Sequence, residues 1–141
     1  RKFFSVLGQA LSDRCLLIMA RRAGAYVAGA LNMIGGDCLF GRYWGATEQH
    51  ACLHFEVCYY QAIDWAITHR LARVEAGAQG AHKLARGYLP ATTYSAHWFK
   101  DPRLSEAVGS YLAQERMEIA ETAEFLTTLG PFKKIPIQEA D

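Results

Sequence analysis

The sequence predicts an α/β (α+β) domain in which helices pack on a mixed, mostly antiparallel sheet. Three short apolar runs follow one another and are joined by turn residues, which is typical of an antiparallel meander. A long apolar helix then returns the chain to a further short apolar run, and such a return makes the sheet mixed. A second long helix near the end of the chain provides further cover for the sheet.

The first part of the chain supplies a helix and the meander. Apolar residues recur at helical spacing in residues 2–11, which predicts a short helix. The three strands of the meander are predicted at residues 15–21, 26–34 and 38–44. The turns between them are provided by Ala23-Gly24 and by Gly35-Gly36-Asp37. Gly41 interrupts the third strand, and a glycine inside a strand often marks a bulge or a close backbone approach.

The remainder of the chain alternates helices with short strands. Two apolar stripes at helical spacing predict a helix at residues 50–70 that must be covered on most sides. The elements predicted beyond it are a buried strand at 73–76, a helical turn at 82–86, an alternating strand at 93–98 and a final helix from 102. Asp101 as N-cap and Pro102 in the first turn mark the start of this last helix, and Gly130-Pro131 marks its end.

The composition is that of one ordinary globular domain, assigned to residues 1–132, with a loose tail at 133–141. A chain of 141 residues can bury roughly 68% of its unfolded surface, so it needs no disulfide or metal to fold. The net charge of +1 does not indicate a broad nucleic-acid or membrane footprint, and no apolar run reaches the ~18 residues of a membrane span. The chain shows no signal peptide and does not begin with Met, so we interpret it as a cytoplasmic fragment of a longer protein.

The four cysteines predict free thiols and no metal site. Their spacing pairs none of them closely, which favours reduced cysteines in a reducing compartment. The residues of a metal alternative are His50, Cys52, His54 and Cys58, which lie within nine positions. Residues 50, 52 and 54 share a face only in a strand, whereas this region is predicted to be loop and helix, so the sequence predicts no metal.

Four runs of the sequence carry a resemblance to a known family. They are LFGRYWG at 39–45, LHFEVCYYQAI at 53–63, VEAGAQG at 74–80 and HKLARGYLP at 82–90. The chain closely resembles the C-terminal part of FemAB-like predicted N-acyltransferases, a bacterial family labelled peptidoglycan biosynthesis/recognition. The resemblance covers nearly the whole chain. It implies a missing N-terminal half or a homo-oligomeric partner, and the label rests largely on analogy of fold.

The resemblance implies a GNAT-like fold that transfers an acyl or aminoacyl group to an amine, such as that of a cell-wall precursor. In such folds the strands before and after the central helix splay apart, and the acyl donor lies in the cleft between them. Here these strands are residues 38–44 and 73–76, and Gly41 is placed to supply the bulge. Two alternatives stay open: a non-catalytic module that recognises a peptidoglycan precursor or a partner protein, and a fragment that is incomplete without its missing domain.

The sequence leaves the acyl donor open. Acetyl-CoA enzymes carry an Arg/Gln-x-x-Gly-x-Gly/Ala loop whose N–H groups hold the pyrophosphate. Residues 42–47 match only its first two key positions, Arg42 and Gly45. Fem-type ligases lack that loop and take an aminoacyl group from tRNA. We therefore expect no tightly bound cofactor, with acyl-CoA or aminoacyl-tRNA as co-substrate and a small-molecule or peptide amine as acceptor.

The catalytic candidates are Glu75, Lys83 and Glu56. In Fem-type enzymes a lysine of a Lys-x-x-x-Gly-aromatic turn lies near the transfer centre, and Lys83 matches it. Glu75 lies on a strand of buried residue types, so it is either a base with a raised pKa or an ion-pair partner of Arg73 or Arg86. Glu56 opens the central helix near the cleft, where a carboxylate also favours the helix dipole.

The residues predicted to bind substrate or donor are polar or glycine positions around these three. They are Arg42, Gly45, Gln79, His82, Arg86 and His54. Lys83 and Arg86 are three apart and share a face of a helical turn, which suits a phosphate or a developing oxyanion. The alternative is a solvated cationic turn. Tyr94 and His97, on the predicted strand at 93–98, are assigned to core or surface.

Overall fold

The computed structural model of the chain describes residues 2–78 and 80–132. Their contacts divide into two compact units, one reaching to residue 79 and the other starting at Gly80. The first unit contains the sheet and two helices, and the second contains a short helical turn and a long helix. The assignment of residues 1–132 to a single domain stays a prediction, and the tail predicted at 133–141 lies outside the described residues.

The first unit follows the predicted order of elements. They are helix α1 (Lys2–Ala10), a 3₁₀ turn (Ser12–Arg14), strands β1 (Cys15–Arg22), β2 (Ala25–Gly35) and β3 (Cys38–Ala46), helix α2 and strand β4 (Arg73–Glu75). Helix α2 spans residues 53–68 in three consecutive stretches: α-helical Leu53–Phe55, π-helical Glu56–Tyr60 and α-helical Gln61–Thr68.

The sheet is mixed and mostly antiparallel, as predicted. Its strand order is β1-β2-β3-β4, with antiparallel pairing along the first three strands and parallel pairing between β3 and β4. Gly24 and Gly36 adopt positive φ angles of 88° and 59° in the two hairpins, which explains the glycine at each turn. Helix α2 provides the crossover that a parallel strand pair requires. The fold class is therefore α+β.

The predicted irregularity at Gly41 is a β-bulge. Leu31 of β2 pairs with Tyr43, and Asn32 pairs with Gly41, so Arg42 is an extra residue on β3. A bulge of this kind bends the strand and re-aims the side chains next to it. The bulge lies where β3 loses its second neighbour, because β3 and β4 pair over only three residues, ending at Phe40 opposite Glu75. β4 ends at Glu75, whereas β3 continues along β2 to Ala46.

The core of the first unit lies between the sheet and helix α2. Its buried apolar residues are Val27, Ala28, Ala30, Cys38, Leu39, Val57, Tyr59, Ala62 and Ala66. Of the apolar residues that form the predicted stripes of α2, Val57, Tyr59, Ala62 and Ala66 are buried, whereas Tyr60 and Ile67 are 44% and 69% exposed. The π-helical stretch adds a residue to one turn, so Val57 and Ala62, five positions apart, both face the core.

The second unit contains a 3₁₀ turn (Ala81–Arg86) and helix α3 (Pro102–Thr128). The predicted start of α3 is confirmed, because the Oδ1 atom of Asp101 accepts a hydrogen bond of 3.0 Å from the backbone N–H of Arg103. No residue of α3 is fully buried. Within the described residues, no helix combines the length and apolarity needed to cross a membrane.

The strand predicted at 93–98 is wrong. Residues 88–99 form neither helix nor strand, and Tyr94 and Trp98 are 93% and 83% exposed. An alternating pattern produces a strand only where another strand can pair with it, because the backbone donors and acceptors of a strand need partners. The described part of the second unit contains no strand to provide them.

Candidate functional site

A cavity of about 140 Å³ lies beside β3 at the point where β4 ends. The bulge residues Gly41 and Arg42 line it on β3, Asn32 lines it on β2, and Ala76, directly after β4, lines the far side. Helix α2 closes it with residues from its first two turns, including the π-helical stretch. A widened helical turn of this kind recurs at functional sites, because it displaces side chains from the regular helical pattern.

Gly41 leaves a small opening without a side chain between β3 and the residues that end β4. A Cβ atom at this position would lie 3.5 Å from the carbonyl oxygen of Glu75, 3.7 Å from Oδ1 of Asn32 and 3.8 Å from Cα of Ala76. These are ordinary van der Waals distances, so a methyl group would fit without displacing the backbone. It would, however, occupy the space between the two strands. The absence of a side chain at Gly41 therefore contributes directly to the cavity.

Asn32 is the buried polar residue of this cavity. Its side chain is 1% exposed, and its Nδ2 atom has no hydrogen-bond partner among the described residues. An amide buried in this way without a partner is unfavourable. The sequence analysis does not select Asn32, because this residue lies within the apolar run that predicts a strand at 26–34. The available signal was a single asparagine within that apolar run.

His54 and two aromatic residues form one wall of the cavity. The His54 ring meets Trp44 edge-on with centroids 5.2 Å apart, and meets Tyr59 edge-on at 5.4 Å. His54 is half-buried at the start of α2, and all three residues line the cavity. Edge-to-face packing holds such rings in defined orientations. The structure thus places the predicted binding residue His54 in the cavity.

Arg42 and Gly45, both predicted to bind the donor, line two different concave surfaces of the first unit. Arg42 lines the cavity, is exposed, and carries its guanidinium 5.2 Å above the ring of Phe40, a cation–π arrangement. Gly45 pairs with Gly29 and lines a neighbouring apolar groove instead. Arg42 therefore lies at the cavity with its guanidinium over Phe40, whereas Gly45 contributes to a different surface.

The two predicted carboxylates of the first unit do not line the cavity. Glu56 is exposed, and its Oε1 atom accepts a hydrogen bond of 2.8 Å from Nε2 of Gln61. The carboxylate of Glu75 lies beside the thiol of Cys38, and burial followed by this carboxylate raises the pKa of that thiol. Arg73, considered as the ion-pair partner of Glu75, instead lies 3.5 Å from Asp37.

The predicted cationic turn forms the start of the second unit. Gly80 precedes it with a φ angle of 102°, and a Cβ atom there would lie 2.7 Å from Cε1 of His82. Lys83 is half-buried, and this burial lowers the pKa of its ammonium group. Lys83 and Arg86 share a face because residues three apart eclipse in a 3₁₀ turn. Nη1 of Arg86 donates a hydrogen bond of 2.6 Å to the carbonyl oxygen of His82. Gln79 lies outside the described residues.

The sequence profile of a known family matches residues 1–134 of this chain, and its description is FemAB-like, peptidoglycan biosynthesis/recognition. The chain belongs to the FemAB-like family. Neither the curated proteins nor the solved structures give a match to it. Family membership associates this FemAB-like chain with the biosynthesis or recognition of peptidoglycan.

The histidine and cysteine cluster of the FemAB-like chain does not converge. Nε2 of His50 lies 2.7 Å from Oε2 of Glu48, and Cys52 is exposed with a φ angle of 63°. Within residues 2–78 and 80–132, no three side chains of His, Cys, Asp or Glu come together as a metal site. The prediction that no metal is bound is open to elemental analysis of the purified protein.

The cavity thiol of the FemAB-like chain is expected to be unreactive. Burial raises the pKa of Cys58 to about 11. Since reactivity depends on the thiolate, Cys58 has about a hundredfold less of the reactive form than an ordinary cysteine at neutral pH. We expect iodoacetamide at pH 7.5 to label the exposed Cys52 well before Cys58, as mapped by peptide mass spectrometry. Equal labelling rates at the two cysteines would contradict this.

Proposed function

We propose that this FemAB-like chain is an N-acyltransferase that moves an acyl or aminoacyl group from a carrier to an amine of a peptidoglycan precursor. The observation that carries the proposal is the cavity beside the bulge of β3, at the point where β4 ends. The resemblance to GNAT-like folds assigns the acyl donor to a cleft between these strands. All three residues of β4 pair with β3, so the space for a donor lies past the end of β4.

The transfer needs few groups from the protein. The amine nitrogen attacks the carbonyl carbon of the donor, and a C–N bond forms. The bond from that carbon to the sulfur of a thioester or the oxygen of an ester breaks, and the amine's proton leaves with the released carrier. Catalysis therefore consists of positioning the two reactants and stabilising the negative charge that develops on the carbonyl oxygen.

The size of the cavity suits the acyl end of a donor. Pockets that enclose a drug-sized ligand measure roughly 300–1,000 Å³, and this cavity measures about 140 Å³. It is large enough for a small acyl or aminoacyl group but not for its carrier. Arg42 at the cavity supplies a cation for a carrier phosphate, a group that CoA and tRNA share.

The proposal is tested by looking for the acylated product. The protein is incubated with the amine-bearing peptide L-lysyl-D-alanyl-D-alanine and either acetyl-CoA or a mixture of aminoacyl-tRNAs, and products are followed by mass spectrometry. We expect the peptide to gain the mass of one acyl or aminoacyl group. No product above the protein-free background with either donor class would contradict the proposal.

A second function is favoured by the positions of the carboxylates. Neither Glu56 nor Glu75 lines the cavity, so neither is placed to take the proton of an amine bound there. A module that recognises a peptidoglycan peptide without transferring a group needs no base. Calorimetric binding of L-lysyl-D-alanyl-D-alanine without any mass change would support this second function over the first.

The Gly41→Ala variant is expected to lose transfer activity while keeping its fold. The added methyl group contacts neighbouring atoms at 3.5–3.8 Å, so it fills the opening without a clash. A methyl-sized change in a fitted pocket alters kcat/KM by roughly 10–200-fold, and we expect a decrease in that range. The matched control is Gly109→Ala in α3, where a Cβ atom meets nothing within 4 Å. Equal kcat/KM values in the two variants would contradict the cavity's role.

A further inference from the structure

We propose that Asn32 is the hydrogen-bond donor that holds the carbonyl oxygen of the acyl group in the cavity. This inference rests on the proposed function and names the residue that recognises its substrate. It assigns a binding role to a residue on β2, away from the polar turn that the sequence pointed to.

The burial of Asn32 is the first step of the argument. Its side chain is 1% exposed and lines the cavity, and its Nδ2 atom has no partner among the described residues. A buried donor without an acceptor destabilises a fold, whereas an apolar residue of the same shape at that site would not. The other large fully buried side chains of the unit, Leu39 and Cys38, are apolar or weakly polar. An amide at this position is therefore explained by an acceptor that arrives with a ligand.

The register of the sheet directs Asn32 toward the opening. Asn32 is the Cα partner of Gly41, so the two positions share a face of the sheet. Because Gly41 has no side chain, the space beside it stays open, and a Cβ there would lie 3.7 Å from Oδ1 of the Asn32 amide. The bulge at Arg42 begins at this same pair. The side-chain amide of Asn32 therefore lies next to the opening at Gly41.

The chemistry of the Asn32 amide indicates which group of a ligand it binds. A primary amide offers N–H groups without a charge, which suits the neutral oxygen of an ester, thioester or amide carbonyl. A phosphate would favour a cation, which at this cavity is Arg42 rather than Asn32. The hydrogen bond from Nδ2 orients the carbonyl carbon and stabilises its oxygen as negative charge develops there. A peptide carbonyl of the acceptor is the other source of the same chemistry.

The sequence provides a direct probe, because Asn32 is the only asparagine in the chain. Selective ¹⁵N-asparagine labelling gives one pair of side-chain amide signals in an NMR spectrum of the full chain. The acyl-bearing probes are acetyl-CoA and 3′-O-alanyl-adenosine, with CoA and adenosine as their deacylated controls. We expect at least one acyl-bearing probe to shift the Nδ2 signals and its deacylated control to leave them unchanged.

The other outcomes of this titration are equally informative. Signals that stay unchanged at saturating amounts of both acyl-bearing probes would overturn the proposal. Signals that move to the same extent with the deacylated controls would also overturn it. A shift caused only by L-lysyl-D-alanyl-D-alanine would assign the carbonyl to the acceptor instead of the acyl group, and would overturn the assignment made above.

The Asn32→Leu variant separates a binding role from a structural one. We expect its midpoint of urea unfolding to equal or exceed that of the wild type, since an unpaired buried amide is replaced by an apolar side chain. Its kcat/KM for transfer should fall by about 100-fold, as on removal of one oxyanion donor. A lowered unfolding midpoint with unchanged kcat/KM would show that Asn32 is structural.

The experiments distinguish a failure of the Asn32 proposal from a failure of the proposed transferase function. Wild-type transfer rates in Asn32→Leu would remove Asn32 and leave the transferase function standing. Nδ2 shifts with an acyl-bearing probe, in a protein that yields no acylated peptide, would remove the transferase function and leave the carbonyl site standing.

Discussion

Replacing Lys83 with alanine is expected to lower the transfer rate by roughly 10²-fold or more, the loss typical of one transition-state donor. Lys83 matches the lysine that the family resemblance places near the transfer centre. It is half-buried in the 3₁₀ turn, and burial lowers the pKa of its ammonium group. If Lys83 acts as a cation, activity is retained at low pH and lost as pH rises through this lowered pKa. The measurement is kcat as a function of pH in wild type and variant.

Three further variants sharpen this prediction. Lys100→Ala removes an exposed lysine of the same unit and is expected to leave the rate unchanged. Lys83→Arg should not restore full activity, because a planar guanidinium does not replace a compact ammonium. Arg86→Ala should raise KM more than it lowers kcat. Circular dichroism checks that each variant is folded, and a wild-type rate in folded Lys83→Ala would exclude Lys83 from the mechanism.

The Leu39→Ala variant is expected to lower the free energy of unfolding by about 2–5 kcal/mol, the range for a fully buried leucine. Leu39 is 0% exposed and lies on β3 between Ile34 of β2 and Val74 of β4. Its removal leaves a cavity where sheet and helix α2 meet. Since small domains are stable by only about 5–15 kcal/mol, this single change is a large fraction of the total. Urea unfolding followed by tryptophan fluorescence measures it.

Two controls establish that the loss comes from burial. Leu17→Ala makes the same chemical change on β1, where the side chain is 64% exposed, and should cost within about 0.5 kcal/mol. Leu39→Met conserves the volume and should cost less than about 1.5 kcal/mol. A cost for Leu39→Ala no larger than that for Leu17→Ala would show that Leu39 does not anchor the core.

The features that depend on a few neighbouring residues were predictable from the sequence. The two hairpins contain a residue with a positive φ angle, and the glycines at positions 24 and 36 predict these turns. Asp101 followed by proline predicts the start of α3, and the side chain of Asp101 caps the helix. Gly41 indicates the bulge of β3, which lies where β4 ends. In each case the backbone conformation is selected by local sterics or by one nearby hydrogen bond.

The features that depend on partners distant in sequence were decided by the tertiary structure. The alternating segment at 93–98 is not a strand, because alternation cannot supply a neighbouring strand. The carboxylate of Glu75 lies beside Cys38, since the register of β3 and β4 selects its neighbours. Asn32 becomes a candidate binding residue only because the register of β2 and β3 places its buried amide opposite Gly41, where no side chain fills the space. Burial and hydrogen bonding join residues far apart in the chain, so composition and spacing alone do not specify them.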